Sequence, residues 1–132
     1  MDEYLNYEKI LDNSLRNVVK LSLMQIQHEG LLNNHKIFIT FSTNNTEVII
    51  SENLLAQYPE EITIVLEHQF WELEINDDHF TITLSFNKFP EKLKVPFSSI
   101  TKFVDPSVKF GLTFKNYSES NEGTKIIDSN IS

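Results

Sequence analysis

Cysteine is absent from this 132-residue chain, and glycine occurs only three times. Without thiols there are no disulfides and no thiolate metal sites, a composition that fits a reducing compartment. Three scattered glycines cannot build a phosphate-cradling loop. No apolar run approaches the roughly 20 residues that cross a bilayer. The opening Met1-Asp2-Glu3-Tyr4 lacks the basic and apolar regions of a signal peptide. Positive charge is missing from the middle of the chain: Glu47 to Asp78 contains no lysine or arginine, while Lys88, Lys92, Lys94, Lys102 and Lys109 come later. The net charge of −8 repels phosphate backbones and argues against nucleic-acid binding. These absences point to a soluble, cytoplasmic protein whose length suits one domain.

What is present is one long helix followed by short strands. On a helical wheel over residues 4–28, Tyr4, Leu5, Tyr7, Leu11, Leu15, Val18, Val19, Leu23 and Ile26 form a broad apolar face. Ile10, Leu21 and Met24 form a second, narrower patch. A second patch means either a helix sunk deeper into its own domain or a second partner. Gly30 ends the helix, and Leu31-Leu32-Asn33-Asn34 leads into the sheet.

From residue 36 to 114 the pattern has the period of β structure. His79 to Phe86 is the clearest strand, with Phe80, Ile82, Leu84 and Phe86 on one face and Thr81, Thr83 and Ser85 on the other. Ile37, Ile39 and Phe41 alternate with Phe38 and Thr40; Leu93 and Val95 alternate with Lys92 and Lys94. Val108, Phe110, Leu112 and Phe114 alternate with Lys109, Gly111 and Thr113. Turns are expected at Asn44-Asn45, Asn76-Asp77-Asp78 and Asn87-Lys88-Phe89-Pro90. Ser51 caps a short helix beginning at Glu52. Close-spaced strands predict a small barrel or sandwich with a helix beside it. Lys115 to Thr124 is rich in Asn, Ser and Glu and is expected to be disordered. It precedes an apolar pair in Lys125-Ile126-Ile127-Asp128.

Catalysis finds little support. His28, His35, His68 and His79 form no metal-ligand spacing, and no Gly-x-Ser-x-Gly turn exists. Glu67 and His68 are adjacent, so on a strand they face opposite ways. No enzyme activity, metal or cofactor is expected. An extended peptide site fits better. In Ile62 to Gln69, Ile62, Ile64, Leu66 and, by extension, His68 face inward, while Thr63, Val65, Glu67 and Gln69 face outward. Phe38 and Thr40 are outward on their own strand, and Gly111 lies opposite Phe110 and Leu112. Apolar side chains among short polar ones, with a glycine for close approach, can hold an extended peptide. The alternative is that the N-terminal helix covers Phe38 and Val65.

Three blocks in order carry a family resemblance: Tyr58-Pro59-Glu60-Glu61-Ile62-Thr63-Ile64-Val65-Leu66-Glu67-His68-Gln69-Phe70-Trp71, Val95-Pro96-Phe97-Ser98-Ser99-Ile100 and Phe103-Val104-Asp105-Pro106-Ser107-Val108. Over roughly residues 4–114 the chain resembles the SspB (stringent starvation protein B) family, nearest its α-proteobacterial branch. Its members are adaptors that capture tagged peptides for the ClpXP protease. The resemblance implies a mainly β fold, a small Sm-like barrel or sandwich with a long N-terminal helix, spanning a substrate-binding domain 1–114 and a flexible tail 115–132. It implies a groove for the ssrA degradation tag involving Phe38, Thr40, Val65, Glu67, Gln69 and Gly111. It further implies a homodimer through the N-terminal helix, using Ile10, Leu21 and Met24, and docking of Lys125, Ile126 and Ile127 on the N-terminal domain of ClpX. Two departures stand out. Relatives commonly carry Gln where Glu67 stands, and their tails end in basic residues where this one continues Asp128-Ser129-Asn130. Ten flexible spacer residues reach roughly 16–19 Å. The rival class is an Sm- or OB-like barrel binding nucleic acid with Phe38, Phe70 and Trp71 as stacking platforms. A small-molecule hydrolase would need a nucleophile–base pair that the sequence does not display.

Overall fold

The computed structural model describes residues 4–31 and 35–114, together with the backbone of residues 125–127. Helix α1 (Tyr7–Glu29) starts where the Asn6 side chain accepts from the Lys9 amide at 3.1 Å, and ends at Gly30, whose amide donates to the Ile26 carbonyl. Gly30 has a positive φ of 80°, a conformation that favours glycine. Tyr4 and Leu5, expected in the helix, precede its cap.

The strands form two antiparallel sheets. In the larger one, β2 (Glu61–Leu66), β1 (Ile37–Ser42), β6 (Ile100–Asp105), β7 (Phe110–Thr113) and β8 (Lys125–Ile127) lie side by side in that order. The smaller is a meander of β3 (Phe70–Ile75), β4 (His79–Phe86) and β5 (Phe89–Pro96). The expected mainly β fold with a long N-terminal helix is therefore present, built as two sheets rather than a closed barrel. Alternation sends Ile37, Ile39, Ile62, Ile64, Phe103 and Leu112 into a shared core with Phe80, Ile82, Leu93 and Val95 of the meander. Val19 and Leu23 of α1 complete that core, and the helix packs on β3 and on the 3-10 turn Phe97–Ser99.

Local chemistry sets the boundaries. Ser51 caps α2 (Glu52–Gln57), accepting from the Leu54 amide at 3.1 Å. Asn87 and Lys88 both take left-handed φ values, 51° and 72°, in a two-residue connection that pairs Phe86 with Phe89. This is the twist that closes a tight hairpin. Pro90 fits because β5 is an edge strand, where a missing donor leaves no ladder partner unpaired. β5 ends at Pro96, as expected, and Asp105-Pro106-Ser107 forms a turn before β7.

Several expectations are corrected. Val108 is not in the last strand: it ends a 3-10 turn, and Lys109 at φ 57° re-aims the chain so that β7 begins at Phe110. The strand from Ile62 does not reach Gln69. It stops at Leu66, a bend follows, and β3 restarts at Phe70. Within β3, left-handed Glu72 breaks the register between Trp71 and Glu74, and Thr83 supports it by donating to Glu72 Oε1 at 2.7 Å. On α1, Tyr7 and Leu11 are exposed, although the wheel put them on the packing face. Asp12 and Arg16 take the buried places instead. Lys125, Ile126 and Ile127 form β8 against β7. The expected disorder of residues 115–124 lies outside the described residues, as do Met1-Asp2-Glu3 and Leu32-Asn33-Asn34.

Candidate functional site

The outward face of the larger sheet brings most of the expected groove residues together. Phe38 on β1 is directly opposite Val65 on β2 and, on its other side, Val104 on β6. Val104 is opposite Gly111 on β7. One apolar row, Val65–Phe38–Val104–Gly111, thus crosses four strands, roughly 14 Å at the usual strand spacing. The next row runs Thr63–Thr40–Lys102–Thr113. There the Thr40 and Thr63 hydroxyls share a hydrogen bond of 2.7 Å, which keeps the row short and polar. A bulge between Thr40 and Phe41 leaves Thr101 donating to the Thr40 carbonyl at 3.3 Å.

The helix does not cover this face. It packs on the meander side, and Val65 remains 39% exposed while Phe38 and Val104 are half-buried. Gly111 is buried within the sheet. Because β1 and β6 are paired on both sides, their main-chain groups are committed to the ladder. Phe38, Thr40, Lys102 and Val104 therefore offer side chains only. Main-chain pairing with a partner is confined to the outer strands.

Glu67 and Gln69 are placed differently from the strand extrapolation. Both follow the end of β2, and the Glu67 carboxylate lies 3.5 Å from Lys36 Nζ and 3.8 Å from His68 Nε2. His68 is exposed, not inward, and the bend brings it to the same side as Glu67. Adjacent residues on a straight strand could not meet in this way. Glu67 thus stands to the side of the apolar row, just past the C-terminal end of β2, in a small cluster of charge. Sequence reasoning missed Val104, Lys102 and Lys36 as members of this face. Only strand register reveals the first two, since nothing in β6 alone says which strand it joins.

Ile10, Leu21 and Met24 are exposed on α1 at 50%, 55% and 44%, and Tyr7 and Leu11 lie exposed beside them. At positions 7, 10, 11, 14, 18, 21 and 24 the spacing of three and four residues makes one stripe, with small Ser14 at its middle. Ser14 turns its hydroxyl inward to the Ile10 carbonyl at 2.9 Å. The side chains of Lys125, Ile126 and Ile127 lie outside the described residues.

Other clusters answer to structural roles. Ser107 Oγ lies 3.0 Å from His35 Nδ1 and donates to Asp105 Oδ1 at 2.5 Å. The ring and the carboxylate meet the serine side by side, and the carboxylate approaches the same ring nitrogen at 3.6 Å. A nucleophilic triad needs the imidazole between serine and carboxylate, using both ring nitrogens. This connectivity lacks that relay, and Asp105 also accepts from the Ser107 amide as the cap of the 3-10 turn. Among the described residues, no group of three or more His, Asp or Glu side chains is arranged to hold a metal ion. No described helix is long and apolar enough to cross a membrane. The nucleic-acid reading loses its platform as well: Phe70 and Trp71 belong to the meander, and Phe38 to the other sheet.

A cleft of about 270 Å³ between α1 and the β3–β4 turn is lined by Arg16, Asn17, Lys20, Asp77 and Asp78. Its rim is held by Lys20, whose Nζ lies 3.7 Å from Asp77 Oδ1. Asp78 receives a 2.6 Å contact from His79 Nδ1, and that hydrogen bond holds its carboxyl below the usual aspartate range. These contacts fasten the turn to the helix, on the side away from the apolar row.

No curated protein shows significant similarity to the chain. The family model described as "Stringent starvation protein B" matches residues 9–130, which takes in α1, both sheets and β8. By that match over nearly its whole length, the chain belongs to the stringent starvation protein B (SspB) family, a family of non-catalytic adaptors.

Proposed function

We propose that this protein is a proteolysis adaptor that binds ssrA-tagged polypeptides and tethers them to the ClpXP protease. The observation that carries the proposal is the apolar row Val65–Phe38–Val104–Gly111, on the face of the larger sheet that the helix does not cover. A row of alternating size, flanked by threonine hydroxyls, suits an extended peptide that sets alternate side chains against the sheet. Glu67, to the side of the row past the end of β2, accepts hydrogen bonds but cannot donate when ionised. It favours amide or cationic groups in the tag and disfavours acids.

Two further parts complete the adaptor. The exposed stripe of α1 pairs with that of a second copy, burying Ile10, Leu21 and Met24 in a homodimer. The Lys125-Ile126-Ile127 segment, following the domain 1–114, docks on the N-terminal domain of ClpX. Delivery then rests on multivalency, since tethering raises the local substrate concentration wherever the linker spans the two sites. The work of unfolding belongs to the ATP-driven protease, and the adaptor operates in the cytoplasm without a cofactor.

Fluorescence anisotropy of a labelled ssrA-tag peptide, titrated with the intact protein and a Val65→Asp variant, tests the reading. Saturable binding in the micromolar range or tighter, lost in the variant, is the expected result. Absence of binding by the intact protein at high concentration overturns it.

A further inference from the structure

The β7 edge is occupied by the chain's own tail. β7 pairs with β6 on one side and with β8 on the other, in the register Gly111↔Ile127, Leu112↔Ile126, Thr113↔Lys125. The row of register positions Val65, Phe38, Val104 and Gly111 therefore continues into Ile127. β1 and β6 have no main-chain groups to spare, so on this side of the sheet β7 is the first strand that could pair with an extended ligand. That capacity is taken by three residues, the same ones that carry the tail's apolar pair. A strand of three residues is a weak cap on its own. It is held by the short connection from Phe114, which keeps it at high local concentration. A weak but tethered occupant is one that a longer peptide can displace.

We propose that β8 is an exchangeable strand. In the unloaded protein, Lys125-Ile126-Ile127 caps the β7 edge. An extended peptide that takes the β8 position along β7, meeting the apolar row where it reaches Gly111, displaces the segment and frees it for a protein partner. The inference rests on the adaptor reading and adds a coupling to it: the tail is exposed when substrate is loaded. Linkage makes the coupling reciprocal, so a tail held on β7 weakens peptide binding by the factor that peptide binding releases the tail.

The cysteine-free sequence makes a direct test available. In the full chain, Thr113→Cys with Lys125→Cys places thiols on directly opposed positions, within reach of a disulfide. Lys102→Cys with Lys125→Cys is the mismatched control, because β7 lies between those strands and two strand spacings exceed disulfide reach. The matched pair is expected to oxidise readily and the control not to. Oxidised matched protein is expected to bind the labelled ssrA-tag peptide at least tenfold more weakly than the same protein after reduction. A second variant, Ile127→Pro, removes a ladder donor from β8, because the Phe114 amide points to β6 and alternation turns Gly111 and Thr113 toward β8. It is expected to bind the tag at least twofold more tightly than the unaltered chain. A matched pair that does not oxidise in preference to the control, equal affinity in locked and reduced forms, or unchanged binding by Ile127→Pro each overturns the exchange alone. An unaltered protein that binds no tag peptide overturns the adaptor reading beneath it.

Discussion

The guanidinium carbon of Arg16 lies 4.5 Å from the centroid of the Phe114 ring, joining the N-terminal helix to the residue that follows β7. The same group donates from Nε to Asp12 at 2.8 Å and from Nη1 to the carbonyls of Phe97 and Ile100. Both ionic partners are buried. Removing one member of such a pair strands the other charge in a dry setting, at a cost of about 3–5 kcal/mol. Urea denaturation of Arg16→Ala is expected to show a loss of that size. Replacing both residues, with Asp12→Leu and Arg16→Met, is expected to recover most of it, since apolar residues of similar volume pack without an orphaned charge.

Val65 separates binding from folding. It is exposed, and its immediate neighbour across β1 is Phe38. Val65→Asp is expected to change unfolding stability by no more than about 1 kcal/mol. It is also expected to weaken tag-peptide binding at least tenfold in the anisotropy titration. A large stability loss with binding retained would place the peptide elsewhere.

Glu67 tests preference instead of affinity. Its contact with Lys36 is exposed, so Glu67→Gln is expected to alter stability by only about 0–1 kcal/mol. Tag peptides in which an acidic residue is present are expected to gain affinity for the variant, relative to the same peptides with the amide. An unchanged ranking of the two peptides would remove Glu67 from recognition.

Leu21 is exposed in the C-terminal half of the apolar stripe on α1. Leu21→Asp is expected to shift sedimentation from dimer to monomer while the far-ultraviolet circular dichroism of the folded domain stays the same. Retention of the dimer would mean that the copies meet through another surface.

Asp78 carries a pH signature. His79 holds its carboxyl below the ordinary aspartate value, so the folded state favours the ionised form. The associated stabilisation is present above the unfolded pKa of an aspartate and is lost as pH falls through the lower folded value. Carboxyl chemical shifts followed by NMR are expected to show Asp78 titrating below a typical aspartate, and His79→Ala to bring it back up. The side chain is exposed, and the effect on global stability is correspondingly small.

Much of this fold was legible because burial and alternation agree. β4 runs from His79 to Phe86 as its pattern predicts, and the caps at Ser51 and Gly30 act as their residue types imply. The errors share a cause: tertiary partners that a single segment cannot display. Asp12 and Arg16 look like a solvated pair until Phe97, Ile100 and Phe114 supply carbonyls and a ring. Tyr7 and Leu11 look like core until the two sheets leave that side of the helix open. The shared face of Phe38 and Val65 was readable from alternation, whereas Val104 needed the β1–β6 register. Glu67 and His68 were misplaced because a bend replaced the end of a strand. β8 offered only three residues of pattern, too few to tell an edge strand from a polar tail.

The two sheets also differ in how their strands are spaced along the gene product. The meander uses β3, β4 and β5 in sequence, each joined to the next by a tight connection. The larger sheet must hold β1 open while the meander is made, until β6 and then β7 arrive to pair. Chain-local pairings close fastest, and domains mature from the N-terminus during synthesis. Val104 and Gly111 are therefore synthesised after the meander, and the row they form with Phe38 and Val65 is the later of the two arrangements that chain order allows. The face that carries Val65, Phe38, Val104 and Gly111 is complete only once β7 has been made.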